Sequence, residues 1–149
     1  MSVRLDDAEI VACLAESHTG VLSTLRADGS PAMMPLWFVM VDGEVCLRTL
    51  ATSAKVRHIR EDPRVSFLVE HGRAWAELKA VVLYGDATLV QDERTIVEID
   101  EAFTTKYAGF GLPPDAPSRT REHYARGRAH ICITPTRRPM TWDNAKLLR

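Results

Sequence analysis

What this sequence lacks narrows it quickly. No stretch of its 149 residues approaches the ~18 consecutive apolar residues of a membrane-spanning helix. Neither sign of charge dominates: 19 Lys and Arg face 20 Asp and Glu, for a formal net charge of −1. Such a chain has no general field to draw in nucleic acid or an anionic membrane, so neither is an expected partner. Any anion must be held by a local basic cluster. Lysine is scarce, 4 against 15 Arg. Cysteine is scarce too, and Cys13, Cys46 and Cys132 are odd in number and far apart, with no Cys-x-x-Cys pair. Each falls in an apolar stretch, which predicts reduced, buried thiols. The start, Met1-Ser2-Val3-Arg4-Leu5-Asp6-Asp7, turns acidic where a secretory leader would run apolar. Together these features predict a cytoplasmic protein.

Familiar catalytic motifs are missing as well. His18, His58, His71, His123 and His130 form no His-x-His or His-Glu-x-x-His, so no metal site is expected. There is no Gly-x-Ser-x-Gly elbow and no Walker loop. Gly109-Phe110-Gly111 runs into Leu112-Pro113-Pro114 instead of a helix, so it reads as a loop and not as a dinucleotide fingerprint. Self-contained hydrolytic chemistry finds no support.

What is present is a meander of short strands. Asp6 to Glu16 reads as a helix, with Asp6 as N-cap and Glu9 completing a capping box. The period then changes to two. Thr19–Arg26, Met33–Val41 and Glu44–Thr49 read as strands joined at Asp28-Gly29 and Asp42-Gly43, with Pro35 marking a bulge or an edge. Ser53–Glu61 reads as a helix stopped by Asp62-Pro63, and Val65–Glu70 as a fourth strand. The 75–90 stretch supplies one or two more strands, Asp92–Tyr107 a second long helix, and 108–118 a Pro-rich loop. Ala129–Thr134 and Pro139–Trp142 close the chain as strands. Six or more antiparallel strands with few helices predict one mainly β domain over residues 1–149, a closed or partly open barrel.

The segment with the most chemistry is Arg48-Thr49-Leu50-Ala51-Thr52-Ser53-Ala54-Lys55-Val56-Arg57-His58-Ile59-Arg60. It passes from a strand end through hydroxylated residues into the first turns of a basic helix. Unpaired N–H groups at a helix start, with Thr49, Thr52, Ser53 and Lys55 beside them, suit a phosphate. An N-cap at Ser53 followed by a solvated basic face fits the same residues equally well.

This run, followed by Glu61-Asp62-Pro63-Arg64-Val65-Ser66-Phe67, resembles the signature of the pyridoxamine 5′-phosphate oxidase-like split β-barrel proteins, which bind FMN or the deazaflavin coenzyme F420. Thr19-Gly20-Val21-Leu22-Ser23-Thr24, Asp28-Gly29-Ser30-Pro31, Pro35-Leu36-Trp37-Phe38, Asp42-Gly43 and Thr141-Trp142-Asp143 resemble the family in the same order. The resemblance implies a Greek-key split barrel, a homodimer with its cofactor at the two-fold interface, and a Lys55 contact to the cofactor phosphate. Burying the apolar Met33–Val41 strand suits that dimer. His58 stands where family members often carry Asn, so it receives no cofactor role. The Arg-Leu-x-Pro tail of the vitamin B6 enzyme is absent, and the chain instead ends Arg137-Arg138-Pro139-Met140-Thr141-Trp142 and onward, which argues against that particular reaction.

Similarity is greatest to the short bacterial branch that uses F420. It implies hydride transfer between F420 and a small conjugated acceptor. An FMN-dependent oxidoreductase or flavin reductase is the alternative, and a non-catalytic carrier of the cofactor the alternative of another class. The implied cofactor contacts are Met34, Pro35, Leu36, Trp37, Thr49, Thr52, Ser53, Lys55, Arg57 and Trp142. Arg57, Arg60 and Arg64 form the expected basic surface for an acidic tail. Tyr107 and Phe110 are the expected substrate-side lid. Trp37 and Trp142 fit ordinary packing too, as Tyr107 and Phe110 fit an ordinary surface loop. No catalytic side chain is expected, because the cofactor carries the chemistry.

Overall fold

The Asp-Gly pairs build the first half of the fold. In the computed structural model, which describes residues 2–149, β1 (Thr19–Leu25), β2 (Pro31–Val41) and β3 (Glu44–Leu50) run as consecutive antiparallel hairpins. Asp42 and Gly43 have φ of 49° and 77°, the two left-handed conformations that a tight type I′ turn needs. Pro35 marks an edge and not a bulge. Pro31–Trp37 pair with β1 in unbroken register, and β3 joins only from Phe38 onward.

β4 (Arg64–His71), β5 (Lys79–Leu89) and β6 (Arg128–Pro135) complete the ring in the order β4-β1-β2-β3-β6-β5, and β5 pairs back onto β4. β7 (Met140–Asp143) lies outside the closed ring, on Lys79–Val82 of β5. The fold is therefore mainly β and antiparallel, the closed barrel that the strand pattern allows and the split barrel that the resemblance implies.

Alternation along the strands fills the barrel with Leu22, Phe38, Leu47, Phe67, Val81 and Ile131, each essentially inaccessible. The Phe67 ring lies so close over Gly20 that any side chain there would collide with it. α1 (Asp7–Glu16) adds Ile10, Cys13 and Leu14 to this core, and α2 (Ala54–Glu61) adds Val56 and Ile59. The α1 capping box is made as predicted: Glu9 N–H donates to Asp6 and Asp6 N–H to Glu9, both at 2.8 Å. α3 (Glu93–Lys106) starts at Asp92, whose carboxylate accepts the Thr95 N–H at 2.9 Å. No helix among the described residues is long and apolar enough to cross a membrane.

Two readings need correction. α4 (Ser118–Tyr124) follows the Pro-rich loop, where no helix is predicted, because its residues carry no apolar stripe. The expectation of three reduced thiols also fails. Cys46 and Cys132 stand directly opposite each other on β3 and β6 and are joined by a disulfide, which leaves only Cys13 free. The two are 86 residues apart, so strand register and not local spacing brings them together.

Candidate functional site

Alternate residues of β3 and β6 form one outward face, with Cys46 opposite Cys132, Arg48 opposite His130 and Leu50 opposite Arg128. α3 covers the first pair, where Val39, Ile99, Phe103 and Tyr107 complete an apolar cluster. Farther along, the face opens into a cleft of about 580 Å³ with Arg48, Leu50 and Arg128 on its floor. Trp37 from β2 and Phe103 from α3 contribute walls, as do Phe110, Leu112 and Pro113 from the loop after α3 and Tyr124 from α4. Thr49, Ser53 and Lys55 complete the lining where β3 turns into α2.

The α2 start departs from an ordinary N-cap. Ser53 has the backbone of one, but its hydroxyl bonds nothing in the helix, and Ser53 Oγ is buried without a hydrogen-bond partner. A buried hydroxyl left unpaired costs about 1–3 kcal/mol, so a group from outside the chain would stabilise it. Lys55 donates to Thr49 Oγ1 at 2.9 Å and has no carboxylate partner among the described residues. Burial pulls its ammonium below the usual lysine range, a shift that a bound anion would reverse. An orphaned hydroxyl, a second hydroxyl and an uncompensated ammonium at a helix start fit a phosphate group.

Arg48 is the best-anchored cation in the cleft. Asp100 of α3 accepts from Arg48 Nη1 at 3.0 Å and, on the same oxygen, meets His130 Nε2 at 2.9 Å. Burial pushes the Asp100 carboxyl up, but His130 and Arg48 outweigh it and hold the acid below the usual carboxylate range. No carboxylate lines the cleft itself, against the three cations Arg48, Lys55 and Arg128.

The aromatic wall has a rigid backing. Trp37 lies parallel to Tyr107 at 4.3 Å between ring centroids. The Tyr107 hydroxyl accepts the Phe38 N–H at 2.8 Å and lies 2.8 Å from the His18 carbonyl and 2.7 Å from that of Phe38. Burial raises the Tyr107 phenol above its usual range, opposed by the Phe38 N–H. Tyr107 is thus only 6% exposed and supports Trp37 from behind, whereas Phe110 is 59% exposed and packs edge-on to His18 at 4.8 Å.

Of the residues implied by resemblance, Trp37, Thr49, Ser53, Lys55 and Phe110 gather in this cleft. Met34 and Arg57 line a different hollow, beside Arg26 and His58, and the His58 ring is bonded to Thr24 at 2.9 Å. Pro35 and Thr52 are exposed on the surface, and Leu36 packs against the barrel interior. Trp142, on β7, pairs with Ala80 of β5 and is not part of the cleft lining of this chain. Arg60 is exposed and Arg64 is paired with Asp62 at 2.7 Å, and neither lines the cleft, whose basic residues are Arg48, Lys55 and Arg128. Arg48 ends a strand in the segment already singled out, but only the β3–β6 register reveals Arg128.

Comparison with known proteins accords with this architecture. A family model described as pyridoxamine 5′-phosphate oxidase matches residues 6–138, and the chain belongs to that family. A solved conserved hypothetical protein from Mycobacterium tuberculosis is 31% identical, across 99% of this chain and 90% of that one, with a TM-score of 0.84. An FAD binding protein from Mycobacterium smegmatis is 20% identical, across 93% and 97%, with a TM-score of 0.66. An FAD-binding protein from Mesorhizobium loti is 18% identical, across 89% and 90%, also at 0.66. The latter two share the fold.

Proposed function

We propose that this protein binds a phosphate-bearing flavin-type cofactor in the cleft, F420 in preference to FMN, and transfers hydride between it and a small conjugated acceptor. The observation that carries the reading is the buried, unpartnered Ser53 hydroxyl beside Lys55. Two fold neighbours that are FAD-binding proteins support the cofactor class. The branch resemblance and the excess of positive charge in the cleft favour F420, which carries an acidic glutamyl tail in addition to its phosphate.

When bound, such a cofactor supplies the hydride chemistry. The chain's own residues bind and orient. Ser53 donates its orphaned O–H to a phosphate oxygen, Lys55 adds a charge-assisted hydrogen bond, and Thr49 holds the ammonium in place. Trp37, braced by Tyr107, presents a flat apolar surface for an aromatic ring, and Phe110 with Leu112 excludes water. The working unit is a homodimer. Met33, 66% exposed, and Pro35 on the half of β2 that lacks a second partner support this, because they leave an apolar edge to cover.

A fluorescence titration of the apoprotein with F420 and with FMN tests the assignment. F420 should bind more tightly, and Ser53→Ala should weaken both by about 10-fold, the equivalent of one hydrogen bond to a charged group. The variant's melting temperature should hold or rise, since the substitution deletes an unpaired buried polar atom. Affinity untouched by Ser53→Ala would remove the phosphate from this position. Tight binding with no turnover on a panel of enones and quinones would assign a carrier instead of an enzyme. Light scattering at micromolar concentration reads the dimer, and a monomer that still binds cofactor would exclude it.

A further inference from the structure

Once Ser53, Thr49 and Lys55 are given to a phosphate, Arg48 and Arg128 remain in the cleft, and only Arg48 has a carboxylate partner, Asp100, which is not part of the cleft lining. Arg48 and Arg128 stand on the same outward face of adjacent strands, at neighbouring rungs of the β3–β6 ladder. Asp100 engages one nitrogen of Arg48, and the guanidinium carbon lies 4.6 Å from the centre of the Phe103 ring. With a side chain only 24% exposed, Arg48 is held in one place while the rest of its donor fork stays free. Arg128 has no carboxylate partner among the described residues. Burial lowers its pKa and the charge of Arg48 lowers it further, with Asp100 opposing, so the two guanidinium groups repel each other across the cleft floor. An anion between them would relieve that repulsion and fill the free fork of Arg48. The apolar flank of Leu112 and Pro113 would then cover the body of the molecule that carries it.

We infer that Arg48 and Arg128 form a carboxylate-binding subsite on the cleft floor, which selects an acidic, conjugated molecule over a neutral one of the same shape. Planar guanidinium forks match a planar carboxylate, and the adjoining apolar wall matches a conjugated body. The carboxylate belongs either to the hydride acceptor or to the glutamyl tail of the cofactor. The subsite deepens the proposed function and rests on it for the reaction, but the test of its charge preference does not need the cofactor.

Cinnamate and cinnamamide share a planar conjugated body and differ in charge, so they are the probes. Titration of the cofactor-free protein, followed by NMR shifts of cleft residues, should show cinnamate binding about 10-fold more tightly than the amide. Arg128→Gln should erase that preference, and Arg128→Lys should keep part of it. Equal binding of the two probes to wild type overturns the subsite without any variant, as does a preference that survives Arg128→Gln. The source of the carboxylate follows from two further titrations. If it is the cofactor tail, Arg128→Gln weakens F420 but not FMN, and F420 expels cinnamate. If it belongs to the acceptor, both cofactors bind Arg128→Gln as they bind wild type, and cinnamate stays bound beside them. A cinnamate preference in a protein that binds neither cofactor would sink the proposed function and leave the subsite standing.

Discussion

Cys46 and Cys132 sit under α3 at one end of the outward β3–β6 face, while Arg48, Leu50 and Arg128 line a cleft at the other. The backbone is the same antiparallel ladder throughout. What changes is the cover. Over the cysteines, Ile99, Phe103 and Tyr107 join one buried apolar cluster, and the polar groups there, the Tyr107 hydroxyl and the Lys106 ammonium, bond to main-chain carbonyls. Over the arginines, the chain provides hydrophobic walls but leaves the Ser53 hydroxyl unpartnered and Lys55 and Arg128 without a carboxylate among the described residues. The covered end is closed by apolar packing, whereas the open one turns polar groups toward a cleft.

Breaking the covered end should have the largest effect. Ile99 is fully buried, and Ile99→Ala should destabilise the fold by about 2–5 kcal/mol, read by chemical denaturation. Cofactor affinity measured well below the melting temperature should change little. A large affinity loss in a folded variant would mean that the two ends are not separable. Reduction of the Cys46–Cys132 bridge should follow, at about 2–4 kcal/mol, because it frees the unfolded chain of a long closed loop. Thiol titration in denaturant without reductant should count one group, Cys13. A count of three would return both strand cysteines to free thiols.

These two predictions fall on features of unequal legibility. The hairpins at Asp42-Gly43, the capping box of Asp6 and Glu9 and the Asp92 cap were readable, because each is fixed by residues adjacent in the chain. The gathering of Thr49, Ser53 and Lys55 was readable for the same reason, since they are neighbours around one strand-to-helix turn. The disulfide and the Arg48–Arg128 pair were not, since both depend on how β3 and β6 align across a long sequence gap. Tyr107 misleads in another way. A tyrosine beside a Pro- and Gly-rich loop suggests a lid, but its hydroxyl finds main-chain partners on β2 that no local pattern announces.

At the open end the effects should appear in binding and not in stability. Lys55→Ala should lower cofactor affinity roughly 10- to 150-fold, from a charge-assisted hydrogen bond of about 1.5–3 kcal/mol, with stability changed by no more than about 0.5 kcal/mol. Binding needs the charged ammonium, and burial has lowered its pKa. Wild-type affinity should therefore fall with rising pH before the ordinary lysine range is reached, while Lys55→Ala stays level. An identical pH profile in the two proteins would exclude Lys55 from the site.

A pH-dependent effect belongs to Lys106 at the covered end, where burial lowers the ammonium to about 8. Its contacts with the Phe38 carbonyl at 2.9 Å and the Phe38 ring at 3.8 Å offset part of that burden. Above the folded-state value the unfolded chain still holds a proton that the native chain has released. Wild type should therefore gain stability relative to Lys106→Met as pH rises from about 8 toward the usual lysine range, in denaturation curves at stepped pH. A gain in the opposite direction would show that the contacts with Phe38 outweigh burial.

The parallel stack of Trp37 on Tyr107 also makes the molecule its own optical probe. Of the three tryptophans, Trp37 alone lines the cleft, while Trp75 and Trp142 lie near the β5–β7 pairing. An aromatic guest in the cleft would quench one indole of three and leave the other two as an internal standard of emission. The fraction of light lost would then count occupied clefts directly, with no label attached to the protein or to the ligand.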